Sequence, residues 1–320
     1  MNASSYENIT GRIDFTNIIS WYFATIGICI FGTLGNLWCG LLIIFFKNLW
    51  NRPIYRLILG IIIPNFVSNS ICIPYEATQS YSLISLNQIL GTDLGCAIEG
   101  TVFILAMSIS NFNQMIVACY RFCAVVSPIL FKRISTNRMV LILMLSISVA
   151  PVLIYFIGGI NTLFWYRVQP LIGDCSENSV SKEIDYFRNS LFLFTPIIVS
   201  VLAYAGIIIR ILFAGLDSNK RRTLLKRAKG SMALGICMVI YSTCIILYWT
   251  DYNSQNYGSN IDISFWKKFA NRASYGFNPL FYVTLDSNMR ESSLKIIRFA
   301  NSKKKEIILQ IFTSSNKPLS

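Results

Sequence analysis

Histidine is absent from all 320 residues of the chain, and charged residues make up only 13% of it. Ordinary globular domains carry about 25% charged residues. Without histidine no Ser-His-Asp or Cys-His arrangement can form, and the sequence contains no phosphate-binding loop and no cluster of metal ligands. We therefore expect neither an enzyme nor a metal or cofactor site. The scarcity of charge, combined with 54% hydrophobic residues, also argues against a water-soluble protein.

Long apolar runs take the place of charge. A membrane-spanning helix needs about 20 predominantly apolar residues, and seven stretches fit this requirement. The seventh is the weakest, because Lys267, Lys268 and Arg272 lie in its first turns. The predicted spans are 18–46, 54–78, 95–126, 138–161, 187–213, 229–250 and 265–285. The sequence thus predicts an all-α integral membrane bundle of seven transmembrane helices.

Basic residues indicate which ends of the spans face the cytoplasm, because Lys and Arg are enriched there. With the N-terminus outside, 21 of the 28 basic but only 4 of the 15 acidic residues fall inside, so the net charge of +13 reflects topology and not nucleic-acid binding. The glycosylation acceptors, Asn2 and Asn8, both lie in the segment placed outside. We expect residues 1–17 to be extracellular, 18–285 to form the bundle, and 286–320 to form a cytoplasmic amphipathic helix and basic tail.

Cysteine usage agrees with this orientation. Seven of the nine cysteines fall inside predicted spans, and only Cys96 and Cys175 face the oxidising outer side. We expect a disulfide between these two residues. The alternative is a pair of free thiols that never meet.

Polar and helix-breaking residues recur inside the apolar runs. The Asn278–Pro279 step lies within span seven, where proline removes a helical hydrogen bond. A membrane bundle tolerates such a break because neighbouring helices, polar side chains and waters re-satisfy the freed groups. Arg121 follows Cys96 by 25 positions on span three. Further residues of this kind are Gly35, Asn36, Pro196, Tyr204 and Tyr282.

The order and separation of these residues resemble the rhodopsin-like G-protein-coupled receptors, from about residue 35 to residue 299. The sequence around Arg121 and the outer loop with Trp165, Asp174, Cys175 and Tyr186 is most similar to nematode serpentine chemoreceptors of class X or a sister class. The resemblance implies a receptor at the plasma membrane, in a sensory cilium for a chemoreceptor. It further implies that an odorant-like small molecule or a peptide binds outside and a heterotrimeric G protein binds inside.

The resemblance also assigns roles to individual residues. It implies that Arg121, Tyr204, Asn278, Pro279 and Tyr282 form an activation switch. In the resembling family the two tyrosines swing towards the span-three arginine when span six moves outward and opens a crevice for the Gα C-terminus.

Three departures from the family pattern stand out. Tyr120 occupies the place of the acidic residue before the span-three arginine, and the inner end of span six is basic, so Arg121 has no evident carboxylate. Either another contact secures the resting state or the receptor has basal activity. Asn65 stands where the family carries its sodium-binding aspartate, with Ser110 and Asn278 matching other members of that cluster. Without a carboxylate a sodium ion would be uncompensated, so we predict no sodium site.

A ligand pocket is expected between the outer halves of spans three, five, six and seven. Candidate wall residues are Phe103, Met107, Tyr241, Tyr248 and Trp249, and lipid-facing or core positions are the alternative for each. Phe103 stands where amine receptors carry aspartate, which disfavours amine ligands.

Charged residues indicate which positions line the expected pocket, because ionisable groups at membrane depth usually face the bundle interior. Lys268 and Arg272 share a helix face at spacing i,i+4, and Glu99 lies one turn inside span three. One hypothesis pairs Glu99 with Arg272, and another lets Lys268 and Arg272 recognise an anionic odorant or a peptide carboxylate. For Lys267 and Lys268, snorkelling to the interface is the alternative.

A transporter or channel is the rival class. Asn65, Asn69, Asn111 and Asn113 could line a polar pathway, although the spans show no inverted repeat. On the inner side, the basic loop before span six and the Lys303–Lys305 tail could also contact anionic lipid.

Overall fold

The computed structural model describes residues 15–86, 92–157, 166–168, 175–177, 190–213, 235, 239–240, 243–244 and 261–299. Nearly all of them are helical. Asn2, Asn8, Tyr241, Tyr248, Trp249 and the basic tail lie outside the described residues.

The helices follow the predicted spans closely. Span one is Phe15–Phe45, span three is Asp93–Val126, span four is Asn137–Ile157, and span seven is Ile261–Leu285. Span two consists of Pro53–Val67, a π-helical turn Ser68–Cys72, and Ile73–Leu86, and span five consists of a π-helical turn Ser190–Phe194 and Thr195–Phe213. Of span six, residues 235, 239–240 and 243–244 are described and helical. Shorter helices are Lys47–Trp50, Pro128–Ile134 and 287–299.

Two short strands were not anticipated by the all-α expectation. Strand β1 (Tyr166–Val168) pairs antiparallel with strand β2 (Cys175–Glu177) in the connection between spans four and five. The predicted disulfide is present, because Cys175 at the start of β2 is bonded to Cys96 in the first turns of span three. The disulfide therefore fixes this hairpin to the end of the bundle, which we call the disulfide end.

Four described helices are long and apolar enough to cross a membrane: Thr16–Phe45, Pro53–Leu83, Asp93–Val126 and Ser190–Phe213. The bent pair Pro128–Ile134 and Arg138–Leu153 makes a fifth when it is counted as one span. Span seven is equally long, but its first half carries the charged side chains noted above, two of which are buried.

The distribution of polar and apolar side chains is the reverse of that in a water-soluble protein. Large apolar side chains point outwards, such as Leu34 and Leu202, which are 62% and 65% exposed. Polar side chains point inwards, and Asn36 and Ser110 have no exposed surface. This distribution suits lipid as the surrounding solvent, since polar groups in lipid must find their partners inside the bundle.

Proline shapes spans two and five in the same way. The ring of a helical proline clashes with the carbonyl four residues earlier and leaves that carbonyl without its N–H partner. A π-helical turn, in which each hydrogen bond spans five residues instead of four, lies immediately before the turn that contains Pro74 in span two. A second π-helical turn lies immediately before the turn that contains Pro196 in span five. In span five the freed carbonyl belongs to Phe192, and Asn111 Nδ2 of span three donates to it at 3.2 Å.

Spans one and seven approach closely through glycines. A Cβ atom added to Gly32 would lie 2.8 Å from the Cα atom of Gly276 and 2.7 Å from the Asn69 side chain. A Cβ atom added to Gly35 would lie 2.9 Å from the ring of Pro279. The two backbones can meet because no side chain separates them, so the Asn-Pro step of span seven rests directly on span one.

We predict that Gly32→Ala lowers the thermal stability of the purified protein. The added methyl group meets backbone atoms, which cannot rotate away, and overpacking of this kind costs about 1–3 kcal/mol. Gly27→Ala is the matched control, because it lies on the same helix and its added Cβ meets nothing within 4 Å. The control should be neutral or slightly stabilising, since alanine favours helix. Equal melting temperatures for both variants would contradict the proposed close approach.

Candidate functional site

Four charged side chains are buried together at the disulfide end of the bundle. Glu76 of span two, Glu99 of span three, and Lys268 and Arg272 of span seven are each at most 8% exposed. Arg272 forms an ion pair with Glu76, and its guanidinium lies 5.9 Å from the centre of the Trp21 ring. Glu99 interacts electrostatically with the other three members. We call these four residues the ionic cluster.

The hypothesis that Glu99 pairs with Arg272 is wrong, because Arg272 forms its ion pair with Glu76. Sequence reasoning missed Glu76, although an ionisable residue inside a predicted span is by itself a signal of a functional or paired site. Lys268 and Arg272 are both buried, as the shared face at i,i+4 predicts. Burial of Lys268 also argues against its snorkelling to the interface, whereas Lys267 is half-buried.

An aromatic pair lies below the ionic cluster. Phe103, one turn from Glu99 on span three, packs edge-on against Tyr275 of span seven with ring centres 6.3 Å apart. Tyr275 is fully buried, whereas Phe103 and Met107 are partly buried against the main apolar core. The cluster therefore stands on an apolar floor between spans three and seven.

A neutral polar layer crosses the middle of the bundle. Ser110 Oγ of span three donates to Asn65 Oδ1 of span two at 2.9 Å. Asn278 is buried on span seven, and its Nδ2 has no hydrogen-bond partner within the described part of the chain. Asn65 supplies an amide where the family carries a carboxylate, so this layer does not fit a bound sodium ion, whose charge would be uncompensated.

Arg121 marks the opposite end of the bundle, which we call the Arg121 end. Its Nε is buried without a hydrogen-bond partner, and the ion pairs of the described residues, Glu76–Arg272 and Glu291–Lys295, do not include it. The preceding Tyr120 is buried and packs on Phe131 of the short helix Pro128–Ile134, with ring centres 4.9 Å apart. Arg121 is therefore held by packing of its neighbours and not by a carboxylate.

The two tyrosines named as switch residues lie in the main apolar core. Tyr204 and Tyr282 are 8% and 5% exposed. Tyr204 packs against span six, where a Cβ atom added to Gly235 would lie 3.4 Å from its ring. Next to Arg121, the Phe122 ring would lie 2.5 Å from a Cβ atom added to Gly206 of span five. Spans three, five and six therefore meet closely at this end.

The helix 287–299 is fixed to spans one and two by polar contacts that the sequence did not reveal. Tyr55 Oη donates to Asp286 Oδ1 at 2.9 Å, and Asn288 Nδ2 donates to Tyr55 Oη at 2.9 Å. Trp38 Nε1 donates to Ser293 Oγ at 3.0 Å. On this helix Met289 is fully buried and Ile296 is partly buried, whereas Leu294, Ile297 and Phe299 are exposed.

The chain is thus a bundle of membrane-spanning helices with a buried polar interior. It has a disulfide at one end and, at the other, an arginine that pairs with no carboxylate of the described residues. The family model described as 7 transmembrane receptor (rhodopsin family) matches residues 35–274. This match covers three quarters of the sequence, and the chain belongs to the rhodopsin family of seven-transmembrane receptors. No curated protein matches it.

Membership of this family defines a multi-pass membrane receptor. In general terms the family couples an extracellular ligand to a G protein. The family match does not favour the interpretation as a transporter or channel. The asparagines on which that interpretation depended are buried, and three of them donate hydrogen bonds within the bundle. Asn69 Nδ2 donates to the Asn65 carbonyl at 2.7 Å, Asn111 Nδ2 to the Phe192 carbonyl at 3.2 Å, and Asn113 Nδ2 to the Ile109 carbonyl at 2.8 Å.

We predict that sodium does not regulate this receptor. Replacing sodium chloride by choline chloride at constant ionic strength should leave its melting temperature unchanged, because Asn65 cannot neutralise the cation. The Asn65→Asp variant is the comparison: a carboxylate at this position should make the melting temperature sensitive to sodium. A sodium-dependent shift in the native protein would contradict the prediction.

We predict that Glu76→Gln destabilises the receptor strongly, because it leaves the buried Arg272 charge without its carboxylate. Breaking a buried ion pair costs about 3–5 kcal/mol. The double variant Glu76→Gln/Arg272→Gln should recover much of the loss, since no charge is left uncompensated. Thermal unfolding of the purified variants measures both effects. Glu291→Gln is the control, because its partner Lys295 is exposed and surface pairs contribute little.

Proposed function

We propose that this receptor is chemosensory and converts the binding of an extracellular small molecule or peptide into activation of a Gα protein. The disulfide end faces the outside and the Arg121 end faces the cytoplasm, with the receptor in the plasma membrane and, for a chemoreceptor, in a sensory cilium. The distribution of basic residues supports this orientation. So does the disulfide, because disulfides persist on the oxidising side of the membrane.

The ligand site in this proposal consists of the ionic cluster and the aromatic pair below it. Glu99, Lys268 and Arg272 supply polar contacts, and Phe103 and Met107 supply apolar ones. The proposal also includes Tyr241 and Tyr248 of span six, which lie outside the described residues. A few convergent polar groups above an apolar floor are typical of small-molecule sites between helices.

The switch in this proposal consists of Arg121, Tyr204, Asn278, Pro279 and Tyr282. Pro279 rests on span one, and its carbonyl oxygen accepts a hydrogen bond from Cys39 Sγ at 3.6 Å. The broken ladder after Asn278 lets the segment around Tyr282 move while span one holds the break in place. Outward movement of span six then releases Tyr204 from Gly235 and opens a crevice beside Arg121.

The partial burial of Arg121 and its lack of a partner among the described residues are the observations on which the proposal depends. The partly buried guanidinium makes no hydrogen bond from its Nε, and closely packed neighbours hold this end of the helix, so the free N–H can donate to a new partner. Because no carboxylate pairs with it in the described part of the chain, no ion pair must break before activation. We therefore infer that the receptor signals measurably without ligand.

We predict that Arg121→Ala abolishes this basal signalling. The measurement is guanine-nucleotide exchange on a panel of Gα proteins, with native and variant receptors at matched surface expression in the same cells. Arg138→Ala is the matched control, because Arg138 is exposed at the start of span four and lies outside the proposed switch.

A native signal above that of cells lacking the receptor, lost in Arg121→Ala and retained in Arg138→Ala, supports the proposal. Signalling that survives Arg121→Ala unchanged would remove the arginine from the coupling site. Absence of exchange on every Gα protein, with and without odorants, would reject the signalling function itself.

A further inference from the structure

The ionic cluster contains one donor and one acceptor that the bundle leaves unmatched. Arg272 uses one nitrogen, Nη2, for Glu76, while its Nη1 is buried without a hydrogen-bond partner. Glu99 is 8% exposed, and in the described part of the chain it has neither a hydrogen bond nor an ion pair within contact distance. Unmatched groups at this depth are costly, so their coexistence in one cluster indicates that something else completes them.

Charge limits what can complete the cluster. Among the described residues, two carboxyl groups, Glu76 and Glu99, face two cations, Lys268 and Arg272, so the formal charges of these four residues balance. An anion or a cation alone would leave a buried net charge, which is unfavourable in a medium of low dielectric constant. A ligand with one charge of each sign keeps the balance. Such a ligand also offers an acceptor for Arg272 Nη1 and a donor for Glu99.

The surroundings indicate the third part of the ligand. Phe103 lies one helical turn from Glu99 and is only partly buried, and its ring packs on Tyr275 of span seven. Tyr275 is in turn three residues from Arg272 on the same helix. An apolar group attached between an ammonium and a carboxylate would therefore lie against the Phe103 ring.

We propose that the ligand is an α-amino acid with an apolar side chain. Its carboxylate accepts a hydrogen bond from Arg272 Nη1, its ammonium donates to the Glu99 carboxylate, and its side chain packs on Phe103. This inference rests on the proposed function for the location of the ligand site. It deepens the earlier hypothesis of an anionic ligand by adding a cationic group that Glu99 recognises.

The first experiment is direct binding, measured as thermal stabilisation of the purified full-length receptor by each of the standard α-amino acids. The amino acid that stabilises most is then compared with its decarboxylated amine and its deaminated acid; for phenylalanine these are 2-phenylethylamine and 3-phenylpropanoate. We expect the amino acid to stabilise the receptor and both analogues to bind about tenfold or more weakly, as for loss of one charge-assisted hydrogen bond.

Two conservative variants test the two contacts. Glu99→Gln should raise the Kd for the amino acid about tenfold without weakening the deaminated acid, because only the ammonium contact is lost. Arg272→Lys keeps a cation beside Glu76 but removes the second guanidinium nitrogen, and should weaken the amino acid without weakening the amine. Glu291→Gln makes the same chemical change on an exposed helix and should leave binding unchanged.

The outcomes separate this inference from the proposed function. Stabilisation by acids alone, by amines alone, or by none of the amino acids overturns the zwitterion assignment. If Gα exchange still depends on Arg121, the receptor function stands without this ligand. If an amino acid binds with the expected dependence on Glu99 and Arg272 but no Gα protein responds, the ligand assignment stands and the signalling proposal fails.

Discussion

A polar group inside a membrane has no water to bind, so it must find its partner on another part of the protein. Three contacts between helices of this bundle follow that constraint. Arg272 of span seven pairs with Glu76 of span two, Ser110 bonds to Asn65, and Asn111 satisfies the carbonyl freed by a proline of span five. These contacts join different helices and therefore fix their relative rotation, which apolar contacts with lipid alone could not do.

Small residues and prolines determine how closely the helices can meet. Gly32 admits the backbone of span seven at Gly276, Gly35 admits the ring of Pro279, and Gly206 admits the Phe122 ring beside Arg121. Each contact has backbone on one side, which cannot adapt as a side chain can. Contacts of this kind act as fixed points, and the segments between them, such as the one that follows the Asn-Pro step, are where movement can occur.

The three polar regions along the bundle axis have different chemical character. Charges of both signs occupy the disulfide end, neutral amides and hydroxyls occupy the middle, and a cation without a carboxylate partner in the described residues occupies the other end. A neutral middle layer cannot bind a metal cation strongly. In the proposed signalling mechanism, communication between the two charged ends passes through helix packing and hydrogen bonds and not through a bound ion.

The sequence by itself determined the helical membrane fold, most span boundaries, the disulfide and the family, because apolar length, cysteine placement and motif spacing are local or one-dimensional signals. Only the tertiary structure decided which charge pairs with which. Glu76 lies 196 positions before Arg272, and nothing in a linear pattern distinguishes it from Glu99 as the partner. The anchoring of Asp286 by Tyr55 and of Phe192 by Asn111 likewise depended on helix rotation, which long-range packing sets and sequence periodicity leaves open.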